Sequence, residues 1–121
     1  MDIGETKNLI INLYLKKPHV AIVFNNYQSS AVMTKYIMWG SYCEDVLTKR
    51  EPYRQDHLAG LAKQKQAGIL ITIGPTKDVT QVFAIYEAED ENTVRQLVES
   101  DPYWQNGIWI EYSVKEWIQA F

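Results

Sequence analysis

Cysteine is almost absent from this 121-residue chain, with Cys43 its only example. A lone thiol excludes an intrachain disulfide framework and suits a reducing compartment. The chain has only two histidines, His19 and His57. One copy therefore lacks the ligands for a thiolate or multi-histidine metal site, and none is expected. Positive charge is also short. Twelve Lys and Arg stand against fifteen Asp and Glu, a net charge of −3. No basic stripe gathers them, so nucleic acid is not expected as a partner. Long apolar runs are missing too, and none approaches the roughly 18–20 residues that span a bilayer. The N-terminal stretch NLIINLYLKKPHVAIVF is broken by Lys16, Lys17 and Pro18, with no small-residue cleavage site following cleanly. The expectation is a cytoplasmic protein with no membrane partner. GPTKDVT holds neither a phosphate-cradling glycine set nor a P-loop Lys-Ser pair, so no nucleotide or other cofactor is expected.

What the chain does have is the content of an ordinary globular domain, 46% hydrophobic and 22% charged. The pattern is irregular up to about residue 32 and regular from 33 to 121. KYIMWGSYC (35–43) is short, aromatic and aliphatic, which predicts a strand. A helix follows, with Pro52 in its first turn and Gly68 at its end. Its stripe is Leu58, Leu61, Ala62 and the stem of Lys65. ILITIGP (69–75) and QVFAIYEA (81–88) are the next strands, the first stopped by Gly74-Pro75. Asp90 caps a second helix whose buried stripe is Val94, Leu97 and Val98, and Pro102 ends it near Ser100 or Asp101. GIWIEYSVKEW (107–117) alternates as a fourth strand, with Ile108, Ile110, Tyr112 and Val114 on one face. Trp109, Glu111, Ser113 and Lys115 lie on the other. The order βαββαβ is an α+β, ferredoxin-like plan: a four-stranded antiparallel sheet with both helices on one face. The other face is left bare and apolar, so a sheet-to-sheet homodimer is expected.

Two polar residues stand out against this frame. Asp101 lies four residues after Leu97 and seven after Val94, which turns it inward if the helical turn persists. A buried carboxylate needs a donor or a cation. The plain alternative is a turn aspartate that accepts backbone N–H groups of PYWQN, as Asp before Pro commonly does. His57, four residues before Leu61, sits on or beside the stripe of the first helix. A neutral imidazole near a carboxylate shuttles protons near neutral pH. The plain alternative is a half-buried, hydrogen-bonded histidine. His19, beside Pro18, is read as surface, and Cys43 as a small buried side chain.

YRQDHLAGLAKQKQAGILITIGP followed by YEAEDENTVRQLVESDPYWQNGI resembles the YciI family, or YCII-related domain. The pattern is an arginine, two residues, then His-Leu; a helix ending in glycine; a strand ending in Gly-Pro; and Asp-Pro before an aromatic. Here those are Arg54, His57, Leu58, Gly68, Gly74, Pro75, Asp101, Pro102 and Tyr103, spanning residue 35 to the C-terminus. The resemblance implies a dimeric ferredoxin-like α/β-barrel, akin to muconolactone isomerases, with an active site around His57 and Asp101. Arg54, Gly74, Pro75 and Tyr103 are then expected to border a small-molecule ligand. Arg54 has two readings of equal weight, an anion receiver or a surface partner of Asp56 or Glu51. Some family members act on chlorinated aromatics, one as a dehydrochlorinase of a chlorohydroxyquinol, and relatives of the superfamily isomerise lactones. Members typically begin just before the first strand, so residues 1–32 are expected to be an extension upstream of a natural start at Met33. Alternatively HVAIVF adds an edge strand. Two functions follow: an enzyme of isomerisation or elimination using His57 and Asp101, or a non-catalytic ligand-binding dimer.

Overall fold

The computed structural model describes residues 32–121, and apart from Val32 the expected N-terminal extension lies outside them. The elements are β1 (Thr34–Tyr42), α1 (Val46–Lys49), α2 (Glu51–Gln66), β2 (Leu70–Pro75), β3 (Gln81–Ala88), α3 (Glu91–Glu99), α4 (Pro102–Gln105) and β4 (Trp109–Trp117). The expected strands and long helices are all present, and the one-turn helices α1 and α4 are additions to them. The sheet runs β2-β3-β1-β4 with every neighbouring pair antiparallel, which is the ferredoxin-like arrangement.

Period-2 alternation assigns the sheet faces. In β1 and β3, Tyr36, Met38, Val82, Ala84, Tyr86 and Ala88 are buried under the helices. Trp39 and Phe83 point the other way, directly opposite each other across the β1–β3 pair, and are 37% and 46% exposed. Ile37 and Ile85 form the next pair on this open face.

The long helices begin and end as their local sequence requires. Pro52 stands in the first turn of α2, and Gly68 just past its end takes φ 75°, a left-handed conformation that suits glycine. The Asp90 side chain accepts the Thr93 N–H at 2.8 Å and starts α3, which buries Val94, Leu97 and Val98 as expected.

Two expectations fail. The buried line of α2 is His57, Leu61 and Gln64, spaced i, i+4, i+7, while Leu58 is 45% exposed and Ala62 faces solvent. His57 and Leu61 stand where their spacing put them, but the stripe turns away from Leu58 and Ala62, because the pattern of apolar residues could not reveal that Gln64 is an inward position. In β4, Trp109 was expected on the open face and Ile110 inside. The structure reverses them: Trp109 is 1% exposed and Ile110 57%. A β-bulge is the cause. Ser41 pairs with Glu111, but Tyr42 pairs with Trp109, so Ile110 is the extra residue and the alternation restarts beyond it. The strands approach so closely there that a Cβ on Gly40 would stand 2.5 Å from the Glu111 carbonyl oxygen. Only glycine fits that position.

Candidate active site

Asp101 is brought inward by a break between two helices, not by a continued helix. Helix α3 ends with Ser100 as its C-cap, and Asp101 has extended dihedrals (φ −70°, ψ 136°) before α4 begins at Pro102. Asp101 Oδ1 accepts the Tyr103 N–H at 2.8 Å, which is the turn bond expected of Asp before Pro. That bond does not exhaust the carboxylate. Asp101 is 1% exposed, and its Oδ1 and Oδ2 lie 2.8 and 2.9 Å from Nδ1 of His57, itself 5% exposed. The turn role and the inward role therefore coexist in one side chain.

An ionised carboxylate only accepts hydrogen bonds, so Nδ1 of His57 is the donor and the neutral ring keeps its lone pair on Nε2. No described residue is hydrogen-bonded to Nε2. Aromatic rings hold the imidazole on two sides. Tyr103 stacks on it with centroids 3.6 Å apart and planes 7° from parallel. Trp109 meets its edge at 5.2 Å and 86°, and stands 5.8 Å from Tyr103. The ring is thus fixed in place and orientation, with one nitrogen satisfied and the other free to take or give a proton.

Of the expected ligand-bordering residues, Tyr103 and Arg54 are near the dyad. Tyr103 is 2% exposed, and burial pushes its phenol above its ordinary pKa, while the guanidiniums of Arg50 and Arg54 pull it down. Arg54 is exposed one turn before His57 and forms no ion pair with Glu51, Asp56 or any other described residue. Gly74 and Pro75 end β2, the edge strand at the other side of the sheet from β4, and no hydrogen bond, ion pair or ring contact joins them to His57 or Asp101. Trp104, the second aromatic of the turn, is half-buried and meets the Tyr112 ring edge-on at 5.0 Å. Among the described residues no group of three or more His, Cys, Asp or Glu is placed to hold a metal ion.

Three residues near the dyad were not anticipated: Trp109, Tyr42 and Arg50. Trp109 was hidden by the bulge. Tyr42 was detectable, since 36, 38, 40 and 42 form one face of β1. Arg50 precedes the helix and carries no pattern. Burial pushes the Tyr42 phenol up in pKa; the Trp109 indole N–H and the Arg50 charge oppose that rise, and the Asp101 charge adds to it.

The model of the YCII-related domain matches residues 34–118. No curated protein matches the chain. Among solved structures, it is similar to 5-chloro-2-hydroxyhydroquinone dehydrochlorinase (TftG) from Burkholderia phenoliruptrix, in complex with 2,5-dihydroxybenzoquinone. The identity is 27% and the TM-score 0.63, covering 71% of this chain and 95% of that one. With the family pattern lying on the very turn and helix that bury Asp101 against His57, the chain belongs to the YCII-related domain family.

Proposed function

We propose that the protein is a cytoplasmic enzyme that moves protons on a small aromatic or lactone-like ligand, by elimination or isomerisation. One observation carries this reading: a buried, doubly accepted Nδ1 on His57 that leaves Nε2 without a partner among the described residues. His57 is the general base, taking a proton at Nε2. Asp101 holds the ring's orientation and balances the charge that appears on it. In elimination, the electron pair of the broken C–H bond moves into the ligand and expels chloride. In isomerisation, the proton returns to another carbon. The dehydrochlorinase likeness supports the first arm. The 5% exposure of His57 favours a second reading, a module that binds such ligands without turning them over.

The ligand-free test is imidazole 15N NMR. The expected spectrum of the wild type has the neutral ring protonated at Nδ1. Asp101→Asn is expected to move that proton to Nε2, because the amide offers an N–H in place of an acceptor. An identical tautomer in both proteins sinks the dyad. The turnover test is chloride release from 5-chloro-2-hydroxyhydroquinone and isomerisation of small lactones, with His57→Gln slowed about 100-fold or more. Binding without turnover in the wild type selects the second reading.

We also propose that two copies pair through the open sheet face. Trp39, Phe83, Ile37 and Ile85 form an apolar patch there that is costly to leave in water. Sedimentation of the wild type is expected at the mass of a dimer, and Phe83→Glu at that of a monomer. A wild-type monomer at micromolar concentration refutes the pairing.

A further inference from the structure

Beside the dyad, two N–H donors are enclosed without a hydrogen-bond partner among the described residues: Nε of Arg50 and Nε1 of Trp109. Such donors are rare in a folded interior, because a buried donor left unpaired is costly. Tyr42 is the residue that relates both to the dyad. It pairs with Trp109 across the bulged β1–β4 ladder, and Trp109 in turn packs its ring against His57. Arg50 and Asp101 both act on the Tyr42 phenol through their charges, as does the Trp109 N–H, although that N–H stops short of a formed hydrogen bond. Unlike the two enclosed donors, Tyr42 is only half-buried.

We propose that Tyr42 is a ligand-contacting residue of the dyad's site: its hydroxyl donates to an oxygen anion of the substrate, with Trp109 and Arg50 backing it as positioning residues. The proposal rests on the proton-transfer reading above and narrows its substrate class to molecules that carry an acidic hydroxyl or enol conjugated to the reacting carbon. When His57 removes a proton from carbon, negative charge runs to that conjugated oxygen. A donor fixed there stabilises it most when charge develops. The chain Trp109 N–H, Tyr42 O–H, substrate oxygen is one in which each bond strengthens the next. The indole N–H then completes its hydrogen bond when the ligand draws the phenol's proton outward. Burial keeps that phenol protonated, and therefore a donor, through the neutral range.

The test is titration of the whole protein with 2,5-dihydroxybenzoquinone, an enolic quinone that ionises readily. Tyr42→Phe keeps the ring and removes only the donor, and is expected to weaken binding about tenfold or more. Arg50→Gln is expected to weaken it less. The double variant Tyr42→Phe/Arg50→Gln is expected to bind as weakly as Tyr42→Phe alone, because Arg50 acts through the phenol. In the wild type, the quinone is expected to move the Trp109 indole 1H–15N signal downfield, a shift that Tyr42→Phe abolishes. Tyr42→Phe binding within twofold of the wild type overturns the proposal, and so does a wild type that does not bind the quinone. Additive losses in the double variant overturn the backing role of Arg50. The tautomer measurement on His57 needs no ligand, so it separates a failure of this inference from a failure of the dyad itself.

Discussion

Asp90 and Asp101 each begin a helix, and each does so by accepting a backbone N–H at 2.8 Å, from Thr93 and from Tyr103 respectively. Their surroundings differ. Asp90 is exposed, and its second bond goes to the Thr93 hydroxyl inside its own turn. Asp101 is 1% exposed, and its second partner is a histidine 44 residues earlier in the chain. The same capping chemistry thus serves as punctuation at one site and as half of a buried polar pair at the other. What separates the two is the partner across the fold. A buried carboxylate needs an opposing donor, and α2 supplies one at the inward position of its stripe.

Truncating both aspartates breaks the comparison most sharply. Asp101→Ala removes a cap and leaves Nδ1 of His57 buried without an acceptor, so the expected loss is about 3 kcal/mol. In a domain of this size that lowers the melting temperature by about 10 °C. Asp101→Asn keeps an oxygen for the Tyr103 N–H but exchanges the charged acceptor facing the imidazole for a neutral amide N–H, an intermediate loss of about 1–2 kcal/mol. Asp90→Ala removes only a solvent-exposed cap and should cost about 1 kcal/mol. Thermal and urea melts of the three variants check the order. Equal losses for Asp101→Ala and Asp90→Ala would mean that the buried pair adds nothing to capping.

The turn role of Asp101 was readable from the sequence because it is local: Asp before Pro dictates it whatever lies across the fold. The four strands and two long helices were readable for the same reason, through spacing, Pro52, Gly68 and the Asp90 cap. Its inward direction was inferred by extending the helix past Ser100, and the helix in fact stops there. The direction is correct by a different route, an extended residue between two helices. Trp109 shows the limit. Alternation assigns strand faces only while register is unbroken, and the extra residue at Ile110 is a property of the β1–β4 pairing that neither strand carries alone. His57 was placed on or beside the stripe of α2 by its spacing to Leu61, but Gln64 was missed because apolar periodicity counts it as outward-facing, although it is buried. The residues that escaped prediction are those whose position depends on a second segment, and they gather around the dyad.

A third carboxylate of the same stretch sharpens the comparison with the smallest expected effect. Glu99, at the end of α3, is exposed like Asp90 yet reaches across to β4, where it accepts the Tyr112 hydroxyl. Burial, and then that hydrogen bond, push the Tyr112 phenol up from 10 to about 12. A phenol whose pKa is raised by folding is held in its protonated form. Its contribution to stability is therefore complete below about pH 10 and disappears as pH rises through about 12. Tyr112→Phe removes that contribution, which is about 1 kcal/mol or less at neutral pH because the pair is open to solvent. The measurement is the difference in urea stability between wild type and Tyr112→Phe, in which the titration of every other tyrosine and lysine cancels. The difference should be constant below about pH 10 and shrink above it. A difference that stays flat through that window would place Glu99 with Asp90, as a carboxylate whose side-chain partner follows the fold without stabilising it.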